Sequence, residues 1–444
     1  RASSRCGSLS RSSESARTAG CMTSEMNPRR RGAVAGVLPL FFALAFLMVG
    51  NGLVGSLVGI RADLEGFPPI VAGVVMSAYY GGFLVGSLTI PRWIANVGHI
   101  QVFAGLAALF AATALAYSLF VSPVSWGFLR FVAGLCMSGM YVTVESWLNS
   151  RATNESRGRL LSLYMVVVTL GLGVGGLLLG AADPMESTLF VVSGILISLA
   201  VVPLALIKIP APDGIEPIKV SVEALARTAP LGVVAVGLAG AAGGAVFALG
   251  AFYATNIGMD PGRVGAFMAV ALAGSLATQY PIGYLSDRFP RRRVILVVAV
   301  AAVAVATAGT FVDTGSPWLF IVMAAYGGFA FPMYSLAVSQ INDLLPANHL
   351  VAAAGGIIFV YGIGSIAGPL ATSVLMAVIG PIGFLWSLAA FFVPIAVYAV
   401  VRIVRKARPA QQRFINLPPR SSTGAPLLAD RQEDGAGRES FKAE

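Results

Sequence analysis

The chain has 444 residues, of which 57% are hydrophobic and only 11% charged, with a formal net charge of +10. That share of charge is less than half of what a soluble domain carries, and a mean hydropathy of +0.80 makes the bilayer the solvent for most of the chain. A soluble enzyme, a nucleic-acid binder and a disordered protein are thereby excluded, because the basic residues lie in loops and tails between apolar runs, where they orient a membrane protein.

Residues 1–33 are Ser/Arg-rich, show no hydrophobic period and contain no apolar signal-peptide core, so they read as a disordered N-terminal extension. From Val34 onward, apolar runs recur, each long enough to cross a hydrocarbon core of ~30 Å. They predict twelve spans, at 34–60, 69–91, 99–120, 124–149, 158–180, 187–207, 231–255, 263–284, 293–312, 317–344, 350–379 and 382–404. The first six form one bundle over 34–207, and the last six form a second over 231–404. Between them, 208–230 holds Pro210, Pro212 and Pro217 with mixed charges and reads as a linker; 405–444 reads as a disordered polar tail. Cys6, Cys21 and Cys136 have no paired spacing, so neither a disulfide framework nor a zinc site is expected.

Basic residues set the expected orientation. With the N-terminus inside, the inner loops carry eleven Lys and Arg residues, among them Arg92, Arg151, Arg157, Arg159 and the run at 288–293, whereas the outer loops carry only Arg61 and Arg263. Both termini are expected to be cytoplasmic.

The two halves repeat. An offset of 192 or 193 residues places Gly82 on Gly274, Met140-Tyr141 on Met333-Tyr334, Ser146 on Ser339, Asn149 on Asn342, Gly171 on Gly364 and Gly175 on Gly368. A nearly constant offset across three helices is the mark of a parallel duplication, with the site expected between the halves near the midplane.

The segment Gly283-Tyr284-Leu285-Ser286-Asp287-Arg288-Phe289-Pro290-Arg291-Arg292-Arg293 resembles the loop signature of the major facilitator superfamily, with Pro290 in place of its second Gly. The equivalent first-half loop departs further, with Pro91 and Ala95 at motif positions and only Gly98 kept. Tyr141 to Asn149 followed by Arg157-Gly158-Arg159, and Pro332-Met333-Tyr334-Ser335 leading to Asn342-Asp343, resemble the YcaD-like branch of bacterial permeases. The resemblance covers about 34–404 and implies an all-α fold of two pseudo-symmetric six-helix bundles. It also implies a gating loop at Gly283, Asp287, Arg288, Arg291 and Arg292, with Asp287 capping or pairing across the gate as the bundles close.

Ionisable groups inside spans are costly and mark function by default. Arg130 lies in Leu129-Arg130-Phe131-Val132-Ala133-Gly134 and resembles the superfamily's fourth-helix pattern of Arg followed four residues later by Gly. It holds a substrate anion, tunes a carboxylate, or braces the helix against backbone carbonyls. Glu145 is the only acid well inside a span. Superfamily members place an acid where this chain has Asn149; Glu145 is one turn deeper on the same face. A deeper carboxylate sees less water, which favours its protonated form, as a proton carrier requires; the alternative is an ion pair with the inner arginines. Asp343 serves a helix end or a gate, or takes part in transport. The uncharged set of Asn51, Tyr79, Tyr80, Tyr141, Asn149, Gln279, Tyr280, Tyr334, Gln340, Asn342 and Tyr361 either lines the cavity or bonds helix to helix. Tyr141 and Tyr334, at equivalent repeat positions, are the pair best placed to face the cavity.

No phosphate-binding Gly-Lys loop is present, and His99 and His349 are the only histidines, so neither ATP, a metal nor a cofactor is expected. The reading is a monomeric, proton-coupled secondary transporter in the bacterial inner membrane, moving a small organic solute by alternating access. An uncoupled facilitator, an exporter of amphipathic compounds and a transporter-like sensor are the alternatives; an enzyme is not expected.

Overall fold

The computed structural model describes residues 38–151, 157–205, 222–345 and 347–405, and among these it contains helices and no strand. The extension over 1–33, residues 208–221 of the linker and the tail beyond Arg405 lie outside the described residues, whereas Val222–Thr228 of the linker forms a short helix. The first bundle comprises α1 (Leu38–Leu64), α2 (Pro69–Val97), α3 (His99–Leu119), α4 (Pro123–Arg151), α5 (Arg157–Leu177) and α6 (Thr188–Ala205). The second comprises α7 (Pro230–Asn256), α8 (Pro261–Arg288), α9 (Arg291–Gly309), α10 (Trp318–Asn342), α11 (Ala347–Ile379) and α12 (Gly383–Arg405).

Eleven of these helices are long and apolar enough to cross a membrane. The twelfth, α8, has 28 residues and the necessary length, but Gln279, Tyr280 and its polar last turn dilute its apolar character. Proline opens α2, α7 and α8, where its missing N–H costs nothing, and the Asp260 side chain caps α8 by accepting the Arg263 N–H at 3.0 Å. Several boundaries differ from the sequence reading: α2 runs through Pro91 to Val97 rather than stopping at 91, so Arg92 lies in a helix and not in a loop. Helix α8 runs to Arg288 rather than stopping at 284, so Asp287 and Arg288 belong to its last turn and not to a loop. The reason is that polarity alone does not end a helix; the first true breaker is Pro290, beyond Phe289. Helix α10 is interrupted at Phe331–Pro332, where proline removes an N–H from the ladder.

The duplication is visible in the packing. Within the first bundle α1 packs on α5, α2 on α4 and α3 on α6; within the second α7 packs on α11, α8 on α10 and α9 on α12. The closest crossings repeat residue by residue. A Cβ on Gly82 would overlap the Phe131 carbonyl oxygen, and one on Gly134 would overlap that of Tyr79. At the equivalent positions, Gly274 meets the Ala324 oxygen and Gly327 that of Ala271. In a bilayer, where apolar surface gains nothing from leaving lipid, such backbone-to-backbone approach is a main source of helix association.

The bundles meet along α1–α7, α2–α11 and α5–α8, a set that maps onto itself under the same repeat. The closest of these contacts gather at the end opposite the 92–99 and 288–291 connections. There Asn256 donates to Asp63 at 2.8 Å, Gly265 abuts Gly176, and Gly73 abuts Ser373. That end of the molecule is closed. The other end, rich in arginine, is called the basic end below.

One departure from the loop signature now has a cause. Gly98 adopts φ 102°, which a side chain strongly disfavours, whereas Pro290 at the equivalent connection has φ −53°. The two loops turn differently, so glycine is needed in one and proline is accepted in the other.

Candidate functional site

Between the bundles lies a cavity of about 1330 Å³, including its open mouth, lined from both halves. The first bundle contributes Asn51, Gly55 and Ser56 of α1, Tyr79 and Tyr80 of α2, Arg130 and Tyr141 of α4, and Thr169 of α5. The second contributes Phe247 of α7, Ser275 and Gln279 of α8, Phe331 of α10 and Tyr361 of α11. Among the described residues, Arg130 is the only charged one in this lining.

The Arg-x-x-x-Gly spacing explains how Arg130 reaches the cavity. Gly134 brings α4 onto the backbone of α2 at Tyr79; Arg130, one turn away on the same face, then extends past that contact. Its Nη2 donates to the Gly55 carbonyl at 2.8 Å, and its guanidinium lies 5.9 Å from the ring centroids of both Tyr79 and Tyr117. The residue is 6% exposed, its Nε has no hydrogen-bond partner, and no carboxylate pairs with it among the described residues. A buried cation compensated only by one carbonyl and two rings retains much of its desolvation penalty. The carboxylate-tuning role has no carboxylate beside it here, and the bracing role is met by a single carbonyl.

Tyr141 also lines the cavity, its hydroxyl directed at Met48 Sδ at 3.2 Å. Glu145 lies one turn nearer the basic end on the same face of α4. It is buried at 3% exposure and accepts a hydrogen bond from the Tyr164 hydroxyl of α5 at 3.1 Å. Tyr164 precedes Met165, which lines the cavity. The carboxylate is therefore adjacent to the cavity wall without being part of it.

The remaining candidates scatter. Tyr334 is buried behind the wall, its ring 5.0 Å from that of Tyr361, which does line it. Gln340 and Asn342 are buried in the last turns of α10, away from the lining. The side chain of Asn149 lies outside the described residues. Asp343 pairs with Arg291 at 2.8 Å, both side chains 2% exposed, tying the end of α10 to the start of α9 within one bundle. Asp287 is exposed and its charge also acts on Arg291. Arg292 donates to the Arg402 carbonyl at 3.3 Å, Arg288 stacks over the Tyr284 ring at 4.2 Å, and Gly283 is buried in α8. Among the described residues, these contacts of the gating set lie within the second bundle at its basic end. The repeat places His99 where Arg291 stands, and His99 bonds Ser146 at 3.1 Å in place of an ion pair.

Sequence reasoning missed the stacked pair Phe247–Phe331, with ring centroids 5.2 Å apart, which forms the apolar wall of the second bundle. Aromatics in an apolar span carry no signal of their own. Of the uncharged polar set, Asn51, Tyr79, Tyr80, Tyr141, Gln279 and Tyr361 line the cavity, whereas Tyr280 is 81% exposed on the outside of α8. The glycines of α5 serve packing: Gly171 meets Met48, Gly175 meets the Val49 carbonyl, and Gly176 meets Gly265 of the other bundle. Cys136 is buried and free, and no metal-binding cluster occurs among the described residues.

Two duplicated six-helix bundles that cross a membrane and enclose one site between them define a multi-pass carrier fold. The sequence matches the family model of the Major Facilitator Superfamily over residues 40–235 and 231–431, and the chain belongs to that family. An uncharacterized MFS-type transporter of Yersinia pestis is 31% identical over 344 residues, which is 77% of this chain and 88% of that one. The uncharacterized MFS-type transporter YcaD of Escherichia fergusonii is 30% identical over 346 residues, again 77% and 88%. Among solved structures, the nucleoside transporter NupG superposes with a TM-score of 0.71 at 13% identity, covering 83% of this chain and 99% of that one. A bacterial homologue of the human lysosomal transporter Spinster, inward-facing and unoccupied, gives 0.64 at 13% identity, covering 90% and 97%.

Proposed function

We propose that this membrane transporter moves a small organic solute across the cytoplasmic membrane by alternating access, with the basic end in the cytoplasm and Glu145 carrying a coupling proton. One observation carries the reading: a cavity lined from both duplicated bundles, closed by inter-bundle contacts at the end away from the basic one. In that arrangement the site communicates with the cytoplasm, and rocking the bundles about it would exchange the closed end for the basic one. Glu145 suits proton transfer because it is buried, accepts a hydrogen bond from the Tyr164 hydroxyl and sits a turn from the cavity residue Tyr141. The protein acts as a monomer in this reading, since each chain contains the whole cavity.

Orientation is tested by reporter fusions after residues 213 and 410, which lie in the linker and the tail. Both are expected to report the cytoplasm; a periplasmic signal at either site overturns the charge-based orientation. Solute uptake by proteoliposomes carrying an imposed pH gradient separates the coupled carrier from its rival. A facilitator would equilibrate solute without concentrating it.

A further inference from the structure

We infer that the cavity selects small organic acids of one negative charge with a planar apolar body, the acid group on Arg130 and the body against Phe247 and Phe331. The inference rests on the transporter reading only for the consequence of binding; the binding itself is a property of the cavity.

The argument begins with charge. Arg130 is buried at 6% exposure, lines the cavity and has neither a carboxylate partner nor a hydrogen bond at Nε among the described residues. A fixed cation held this way is poorly solvated whenever the cavity is sealed from water. An anion entering the cavity supplies the missing partner, and guanidinium meets a carboxylate through paired, charge-assisted hydrogen bonds. A neutral solute leaves the cation uncompensated, and a cationic solute adds repulsion. Discrimination against both is therefore built in before any contact specific to one solute is considered.

The number of charges follows from the lining. Among the described residues Arg130 is its only charged member, so a second negative charge on the solute would be buried there without a partner. The shape follows from the facing wall. Phe247 and Phe331 stack with 18° between their planes and both lie half-buried at the cavity surface. Tyr79, Tyr80 and Tyr361 add further ring surface. Flat rings in this setting favour an apolar planar body by offset or edge contact. Asn51 and Ser275 add polar groups to the lining that can meet polar substituents of the solute.

The test is binding by the purified full-length protein in detergent. The probes are aromatic monocarboxylates (benzoate, phenylacetate, nicotinate, indole-3-acetate and their ring-substituted relatives), each measured beside its own amide. Ligand-induced thermal stabilisation is the first readout and titration of the strongest acids the second. Acids are expected to stabilise the protein where their amides do not. Arg130→Gln should weaken the best acid by about a hundredfold, the scale for removing one side of a desolvated charge pair, while Arg130→Lys keeps part of the affinity. Asp260→Asn, at the closed end and outside the cavity, should change nothing and so controls for general destabilisation. The inference fails if amides and acids stabilise equally, if no acid of the panel stabilises the protein, or if an acid's affinity survives Arg130→Gln in protein that elutes as a single folded species. Acid binding without any flux in proteoliposomes would sink the transporter reading and leave the anion site standing. Flux confined to neutral solutes would do the reverse.

Discussion

Replacing Glu145 by glutamine is expected to abolish solute accumulation driven by a pH gradient while leaving equilibrium counterflow intact. Glutamine keeps the shape and the acceptor oxygen that Tyr164 engages at 3.1 Å, but it cannot lose or regain a proton. Net coupled uptake requires the carboxyl to cycle between charged and neutral forms; exchange of solute for solute requires only that one form be able to turn over. Permanent neutrality therefore separates the two assays. Removing an embedded proton acceptor should lower gradient-driven uptake by about two orders of magnitude, within the usual range for loss of a positioned acid–base group. If Glu145 only pairs with arginines at the basic end, both assays should change together and the pH profile between 5 and 8 should keep its shape. Tyr164→Phe provides the companion measurement. It leaves the carboxyl in place without its hydroxyl partner and should shift the pH profile rather than erase it.

The second large effect concerns folding. Gly82→Ala is expected to destabilise the protein severely, and Gly81→Ala is expected to be neutral or mildly stabilising. The two glycines are neighbours in α2 and differ only in what faces them. A methyl group at position 82 would overlap the Phe131 carbonyl oxygen, a backbone atom that cannot rotate away. At position 81 a Cβ would lie 3.9 Å from the Phe131 ring, an ordinary contact. Overpacking of a rigid crossing costs about 3 kcal/mol or more, whereas Gly to Ala in an unobstructed helix gains up to about 1 kcal/mol. The loss should carry further consequences at the site. Separating α2 from α4 also displaces Tyr79 from Arg130, whose guanidinium is 5.9 Å from that ring. Thermal unfolding of the two variants, read beside the yield of monodisperse protein, checks the contrast. Equal stability of the two would mean that the α2–α4 crossing is looser than described.

The same contrast shows what a linear sequence discloses. The spans were legible because each apolar run must match the bilayer, and the repeat was legible because Gly82 and Gly274 sit at equivalent crossings. Arg130 and Glu145 stood out because charge inside a span is expensive. The end of α8 is not legible from apolarity, because its last turn, Ser286-Asp287-Arg288, is polar yet still helical. Tyr334 illustrates a different limit. The repeat makes it the counterpart of Tyr141, but equivalence of position is not equivalence of exposure: Tyr334 is buried against the ring of Tyr361, which lines the cavity. Phe247 and Phe331 were invisible, since nothing local distinguishes a phenylalanine facing a cavity from one facing lipid. The pairing of Asp343 with Arg291 joins the end of α10 to the start of α9, a contact between separate helices that no local pattern discloses.

The central claim is that the two bundles rock about the cavity, opening one end as the other closes. It is tested most directly by electron–electron double resonance in liposomes, on protein with Cys6, Cys21 and Cys136 replaced. Spin labels at Asp63 and Asn256, which touch at 2.8 Å across the closed end, report that end; labels at the exposed Arg92 and Arg293 report the basic end. Distances would be recorded across pH and with the acids that bind. Two populations are expected at each pair, with the 63–256 distance lengthening in step with shortening between 92 and 293. A single, short 63–256 distance that persists under every condition would contradict alternating access in this protein.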